Sequence, residues 1–313
     1  MESHESVVCK NDVTDAFPDE VQDKRPGKVL TNTRTIQSRS IPSLQGKEKG
    51  YMLVIVNETC GIHGEREGAQ KDFQNIKEIG EHLGFQILNK DSYMNLTKDE
   101  TSEWLKIASE ADHTACERFM IVVSSHGNEE TNEERGKVKE HAFYCADSKP
   151  YFTNTMIEMF NKCDTLEGKP KIFIMQACRG QNPDAGVEVP TTSVMSSGTK
   201  KDESDTTTHA RDDIPDTKPG LDSWNEEIPY FKSYNDMLVV FATSPGFYAW
   251  RNKLKGSWLI HYLHGALMTN RTPSNFLQVL TEVAGRMSER ELTDNQLKCV
   301  PVICHMLRSP IPI

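Results

Sequence analysis

Several absences narrow what this chain can be. Its eight cysteines, at 9, 60, 116, 145, 163, 178, 299 and 304, form no C-x-x-C pair and no periodic framework. That points away from a disulfide scaffold or a paired-cysteine metal site, and toward reduced thiols in a cytoplasmic protein. No apolar run approaches the roughly 20 residues a membrane helix needs, and the opening MESHESVVCKND has no charged-then-apolar leader, so neither insertion nor secretion is expected. Positive charge is in deficit: 36 Lys and Arg against 46 Asp and Glu give a formal charge of −10, the wrong sign for a nucleic-acid or anionic-membrane binder. Gly61, Gly64 and Gly68 make neither G-x-G-x-x-G nor a terminal G-K-[ST], so a phosphate cradle is not indicated.

What the sequence does contain is unevenly distributed. Residues 1–48 are polar, of mixed charge and rich in Ser, Thr and Pro, and read as a short disordered lead segment. Residues 181–227 hold seven Asp and four Glu against four basic side chains, a balance of −7, and read as an acidic linker. On either side, 49–180 and 228–313 alternate apolar runs of strand length with stripes of helical period. The runs are 51–56, 85–90, 118–124, 171–176, 237–242 and 300–307. Helices are expected over the Phe73, Ile76, Ile79, Leu83 stripe, over 98–110 and 153–162, from about 257, and after a Thr272 N-cap with Pro273 in the first turn. Strand–helix–strand repetition means crossover connections and a parallel sheet. Both stretches are taken as parts of one α/β sheet, and a long loop inside one compact domain calls for a functional reason.

Two strand ends carry chemistry. Run 171–176 leads into Gln176-Ala177-Cys178-Arg179-Gly180, and run 118–124 into Ser125-His126-Gly127. Open α/β sheets form their sites at the carboxyl ends of strands, so a thiol and an imidazole reach one rim. A nearby histidine favours the thiolate and later protonates a leaving amine, the division of labour in cysteine peptidases. A lone buried Cys or His is more often structural; the pentapeptide changes that balance. Q-A-C-[RQG]-G with a histidine about 50 residues upstream is an established caspase signature, and here the two residues lie 52 apart, at 126 and 178.

From about Lys49 to Leu307 the chain resembles a caspase. Arg66-Glu67-Gly68 with Asp72 is similar to the family's arginine-bearing loop. Gly168-Lys-Pro-Lys171 leads into the nucleophile strand, and Ser244-Pro-Gly-Phe-Tyr-Ala-Trp-Arg-Asn252 with Gly256-Ser-Trp258 resembles its substrate-binding strand and loop. The resemblance implies a three-layer sandwich with a central, mostly parallel six-stranded sheet and helices on both faces. It implies Arg66, Arg251 and Gln176 around an aspartate-reading pocket, and Tyr248 and Trp250 as the wall for the preceding side chain. Trp258 and Asn252 would shape the subsite four residues upstream of the cut. The N–H groups of Gly127 and Cys178 would form the oxyanion hole; a side chain at 127 would obstruct close approach. Phe247 reads as core. The pair His261 and His264 has no third ligand in view, and no metal or cofactor is called for. Asn128–Glu140 departs from the family pattern as a long charged insert, with Asp147 at an acidic turn, and the span between Met287 and Val300 is short.

An aspartate-reading pocket gives the acidic linker a meaning as substrate. Cuts are expected after Asp205 and Asp216, and after Asp15 to release the lead segment. They would yield a large fragment bearing His126 and Cys178 and a small one bearing Trp250 and Arg251. The resemblance further implies a homodimer of processed units paired along the final strand, an apoptotic executioner role, an upstream activating protease, protein substrates with exposed Asp-containing loops, and inhibitor proteins. The alternatives are a peptidase of the same fold with another specificity and a silent homologue acting as a binding scaffold.

Overall fold

The computed structural model describes residues 12–14, 44, 48–91, 93–184, 234–269, 274–290 and 297–313. In chain order the elements are β1 (Asp12–Thr14), β2 (Gly50–Val56), α1 (Ala69–Leu83), β3 (Phe85–Ile87), α2 (Lys98–Ser109), β4 (Arg118–Ser124), β5 (Gly127–Asn132), β6 (Val138–Tyr144), β7 (Pro150–Phe152), α3 (Thr153–Asn161), β8 (Lys171–Gln176), β9 (Met237–Phe241), β10 (Trp250–Asn252), β11 (Gly256–Ser257), α4 (Trp258–Leu267), α5 (Phe276–Arg290) and β12 (Val302–His305).

Six of these strands make the central sheet, in the order β12-β9-β8-β4-β2-β3. Every pairing is parallel except that of β12 with β9. Strands β2, β4, β8 and β9 are buried along their whole length, because each is an unbroken apolar run that needs cover on both faces. Alternate side chains serve the two covers. Met52, Val54 and Val56 pack with α1, α4 and α5, through Ile76, Leu263 and Val283 among others. Tyr51, Leu53 and Ile55 pack with α2 and α3, through Trp104, Leu105, Met156 and Phe160. The result is the expected caspase-like three-layer α/β sandwich.

Two local expectations change. The charged insert after His126 is an antiparallel sheet of its own, β5-β6-β7, with acids on its flanks placed against polar partners: Tyr144 donates to Glu130, and Asn132 to Glu140. The lead segment contains a strand, since β1 pairs antiparallel with β10, whose other edge pairs with β11. Thr272, Pro273 and the linker from 185 lie outside the described residues, and α5 begins at Phe276. No helix among the described residues is long and apolar enough to cross a membrane.

Candidate active site

Strands β4 and β8 run parallel with Ser124 opposite Gln176, and the Ser125 N–H donates to the Gln176 carbonyl at 3.0 Å. His126 and Cys178 each stand two residues past that matched pair. Both residues therefore follow neighbouring strands out of the same end of the sheet, and both are buried. The Cys178 Sγ accepts from the Ala249 N–H at 3.1 Å and lies 3.6 Å from the Ala249 carbonyl.

Close packing of loops holds this rim. A Cβ on Gly127 would lie 2.7 Å from the Ala177 Cβ and 2.8 Å from the Cys178 carbonyl oxygen. Glycine is thus needed there because the histidine strand end and the cysteine strand end touch. A Cβ on Gly180 would come within 2.2 Å of the Gly246 backbone. The segment after Cys178 is laced to 246–248 by the Arg179 N–H to Phe247 carbonyl bond (3.0 Å), Gly246 to Arg179 (2.7 Å) and Tyr248 to Asn182 (3.1 Å). Phe247 is half-buried and serves this lacing rather than the core.

Arg66 is wholly buried between the first strand and α1. Its guanidinium donates to the Asn57 carbonyl at 3.0 Å and to the Ser124 Oγ at 3.1 Å, with Asp72 at 3.9 Å. Asp72 in turn accepts from the Ser124 Oγ (2.6 Å), the Ser257 Oγ (2.5 Å) and the Ser257 N–H (2.6 Å). Burial pushes its carboxyl up from the ordinary range, while Arg66 and the serine bonds pull the other way. Gly256 has φ +86°, and a Cβ there would meet the Asp72 Oδ1 at 2.5 Å, so the turn into α4 also needs glycine. Arg251, on β10, donates to the Glu67 carbonyl at 2.7 Å. The Arg251 guanidinium is thus tied to the residue that follows Arg66, and Gln176 stands buried at the end of β8.

The aromatic residues form a chain: Tyr248 and Trp250 meet edge to face at 6.4 Å, and Trp250 lies 6.3 Å from Trp258 at the start of α4. Asn252 uses its Oδ1 to accept the N–H groups of Leu254 and Lys255 at 3.0 Å each, so it holds the turn between β10 and β11. Asp205, Asp216 and Asp15 lie outside the described residues.

Several residues that support the site have no motif of their own. Arg179, next to the thiol, donates to Glu129 at 2.7 Å and stacks over the Phe241 ring at 4.1 Å. Burial pulls Arg179 down and pushes Glu129 up, and each is opposed by the other's charge. His141 bonds Thr153 through Nδ1 at 2.7 Å; burial and then Arg179 hold its pKa well below the ordinary value. Ser124 and Glu129 escape a reading of spacing, since each is a single polar residue whose partner is far away in sequence, and the bonds that join Asp72 to Ser257 are equally invisible there. His264 sits 2.6 Å from Glu78, which accounts for one of the two helical histidines without a metal.

Comparison with known proteins agrees with this geometry. Over 275 residues the chain is 28% identical to Caspase-1 of Spodoptera frugiperda, covering 85% of this chain and 78% of that one. It is 29% identical over 276 residues to Caspase-3 of Mesocricetus auratus, covering 84% and 83%. The crystal structure of Caspase-1 from Spodoptera frugiperda superposes with a TM-score of 0.64 at 23% identity, over 86% of this chain and 91% of that one, a likeness of fold. Residues 49–312 match the Caspase domain, and the chain belongs to that family of cysteine-type peptidases.

Proposed function

We propose that this protein is a cysteine endopeptidase that cuts proteins after aspartate. The observation that carries the reading is the register of β4 and β8, whose last matched pair, Ser124 and Gln176, precedes His126 and Cys178 by two residues each; this supports a shared site for the two. The Cys178 thiolate attacks the substrate carbonyl carbon, and the oxyanion is received by the N–H groups of Gly127 and Cys178. The C–N bond breaks as the His126 imidazolium protonates the departing amine; water then releases the acyl group. Arg66 and Arg251, with the Gln176 amide, receive the aspartate carboxylate, two planar forks matching it in charge and geometry. A glutamate, one methylene longer, is disfavoured by about 1–3 kcal/mol. Tyr248 and Trp250 wall the next subsite, and Trp258 with the Asn252 turn bounds the distal one.

The same pocket makes the acidic linker a substrate. Processing after Asp205 and Asp216 separates a large part, 49–180, from a small part, 228–313, and a cut after Asp15 removes the lead segment. Strand β12 ends the central sheet with half-buried residues, which supports pairing of two processed units along it. Executioner activity in apoptosis, a cytoplasmic setting, an upstream activating protease and control by inhibitor proteins belong to the same reading.

A fluorogenic tetrapeptide ending in Asp should be hydrolysed, its Glu counterpart far more slowly, and neither by Cys178→Ala protein. No turnover of the Asp peptide by processed wild-type protein would leave a silent scaffold as the answer. Intact-mass analysis checks the processing: identical single species for wild type and Cys178→Ala rule self-cleavage out.

A further inference from the structure

Strand β10 carries Trp250, Arg251 and Asn252, three residues of the proposed groove. One of its edges is closed by β11. The other is the edge an extended peptide would use, because main-chain pairing along a free strand edge is the general way to hold an extended chain. Here that edge is taken by this chain's own lead segment. β1 pairs with it antiparallel, Asp12 opposite Asn252, Val13 opposite Arg251 and Thr14 opposite Trp250.

Polarity and register give that pairing its significance. From Asp12 to Thr14 the segment advances toward the start of β10. The next residue in that direction, immediately before β10, is Ala249, whose N–H donates to the Cys178 Sγ at 3.1 Å. The segment therefore runs down the groove toward the nucleophile. In sequence, the residue after Thr14 is Asp15, followed by Ala16. A chain arriving at the thiol in this register brings an aspartate as its next residue, with another acid, Asp12, three residues before it. Val13 and Thr14 are both good strand formers, so the short pairing has local as well as positional support.

We propose that Asp12–Thr14, the stretch that leads in sequence to Asp15, is a tethered pseudosubstrate, a segment that occupies the enzyme's own groove in the direction of a substrate and competes with substrates in trans. The inference rests on the peptidase reading and adds a mode of regulation to it. Because the segment is covalently attached, its effective concentration is high even if its intrinsic affinity is modest. The groove is then open only part of the time, and apparent affinity for an external substrate falls by the open fraction. Release does not require the fold to change. It requires only that β1 leave an edge it shares with no other element.

Two measurements test this, both on the full-length chain. In Cys178→Ala protein, where no bond can be cut, those amides of 12–14 that point at β10 should be protected from hydrogen exchange. An excess of the peptide acetyl-Asp-Val-Thr-Asp should strip that protection, because it competes for the same edge. Val13→Pro and Asp15→Ala should each speed exchange at the remaining amides of 12–14. Unprotected amides there, or protection indifferent to the peptide, overturn the proposal whether or not the protein hydrolyses anything. In active protein whose intact mass shows the lead segment still attached, Val13→Pro and Asp15→Ala should lower KM for the Asp-ending fluorogenic peptide about tenfold at unchanged kcat, as expected where the groove is open in about a tenth of molecules. Turnover with KM unmoved in both variants sinks the pseudosubstrate and leaves the peptidase standing; absent turnover beside competitor-sensitive protection does the reverse.

Discussion

Two buried arginine–carboxylate pairs bracket the candidate site, and they are built differently. Under the aspartate pocket, Asp72 faces Arg66 at 3.9 Å, yet it also takes three short bonds from Ser124 and Ser257. Beside the nucleophile, Glu129 touches Arg179 directly at 2.7 Å, while its second oxygen is buried with no hydrogen-bond partner among the described residues. Arg179 has a second support in the Phe241 ring. The first pair is thus a closed network that fixes the Arg66 guanidinium, which the proposed function assigns to a ligand carboxylate. The second ties a loop down with less redundancy on the acid and more on the base. A buried charge is tolerable only where its partners remain, so the two pairs should fail differently.

The largest effect is expected at Asp72. Asp72→Ala leaves Arg66 wholly buried without its counter-charge, and urea unfolding should show a loss of about 3–5 kcal/mol. Glu129→Ala strands Arg179 as well, but the aromatic face still offers about 0.5–2 kcal/mol to a cation, so its cost should be clearly smaller. Equal losses at both positions would erase the distinction between a closed and an open network.

Gly127 shares β5 with Glu129 and separates activity from stability on the nucleophile side. In Gly127→Ala the new methyl meets Ala177 and the Cys178 carbonyl, which drives the two strand ends apart and misplaces an oxyanion donor. For hydrolysis of the Asp-ending peptide, kcat should fall about 10²–10³-fold. Full activity would mean that the close approach of the loops plays no part in the chemistry.

The same comparison shows why some of the molecule was legible in the sequence. Strands β2, β4, β8 and β9 announce themselves because burial on both faces leaves no polar position in their interiors, polar residues standing only at the ends of β4 and β8. Their ends then locate His126 and Cys178, and the neighbouring motifs flag Arg66, Arg251 and the aromatic residues. The supporting shell is silent, since Asp72 meets Ser257 across 185 positions and a lone serine has no periodicity. Hairpin β5-β6 was hidden by its own charges: Glu129, Glu130 and Glu140 read as solvated insert, yet they bind Arg179, Tyr144 and Asn132. Strand β1 was hidden for a different reason. Three residues have no measurable period, and only the open edge of β10 makes them a strand.

The smallest effect is in the pH dependence, and it belongs to the nucleophile side. His141 on β6 packs edge-on against the same Phe241 ring that Arg179 covers. Burial first, and the Arg179 charge second, hold its folded pKa well below 6.5. A histidine that the fold keeps neutral contributes stability that is complete above its unfolded pKa of about 6.5 and is lost as pH falls from there through the folded value. The slope from one such group is at most about 1.4 kcal/mol per pH unit. His113 and His63 are lowered by burial too, so they supply a background of the same sign. His141→Gln removes the titration and leaves a side chain able to bond Thr153. Chemical unfolding midpoints measured from pH 7 to pH 5 should therefore fall less steeply in the variant than in the wild type. Superimposable pH profiles would mean that charging His141 costs this fold nothing, and that the packing around Phe241 does not depend on a neutral ring.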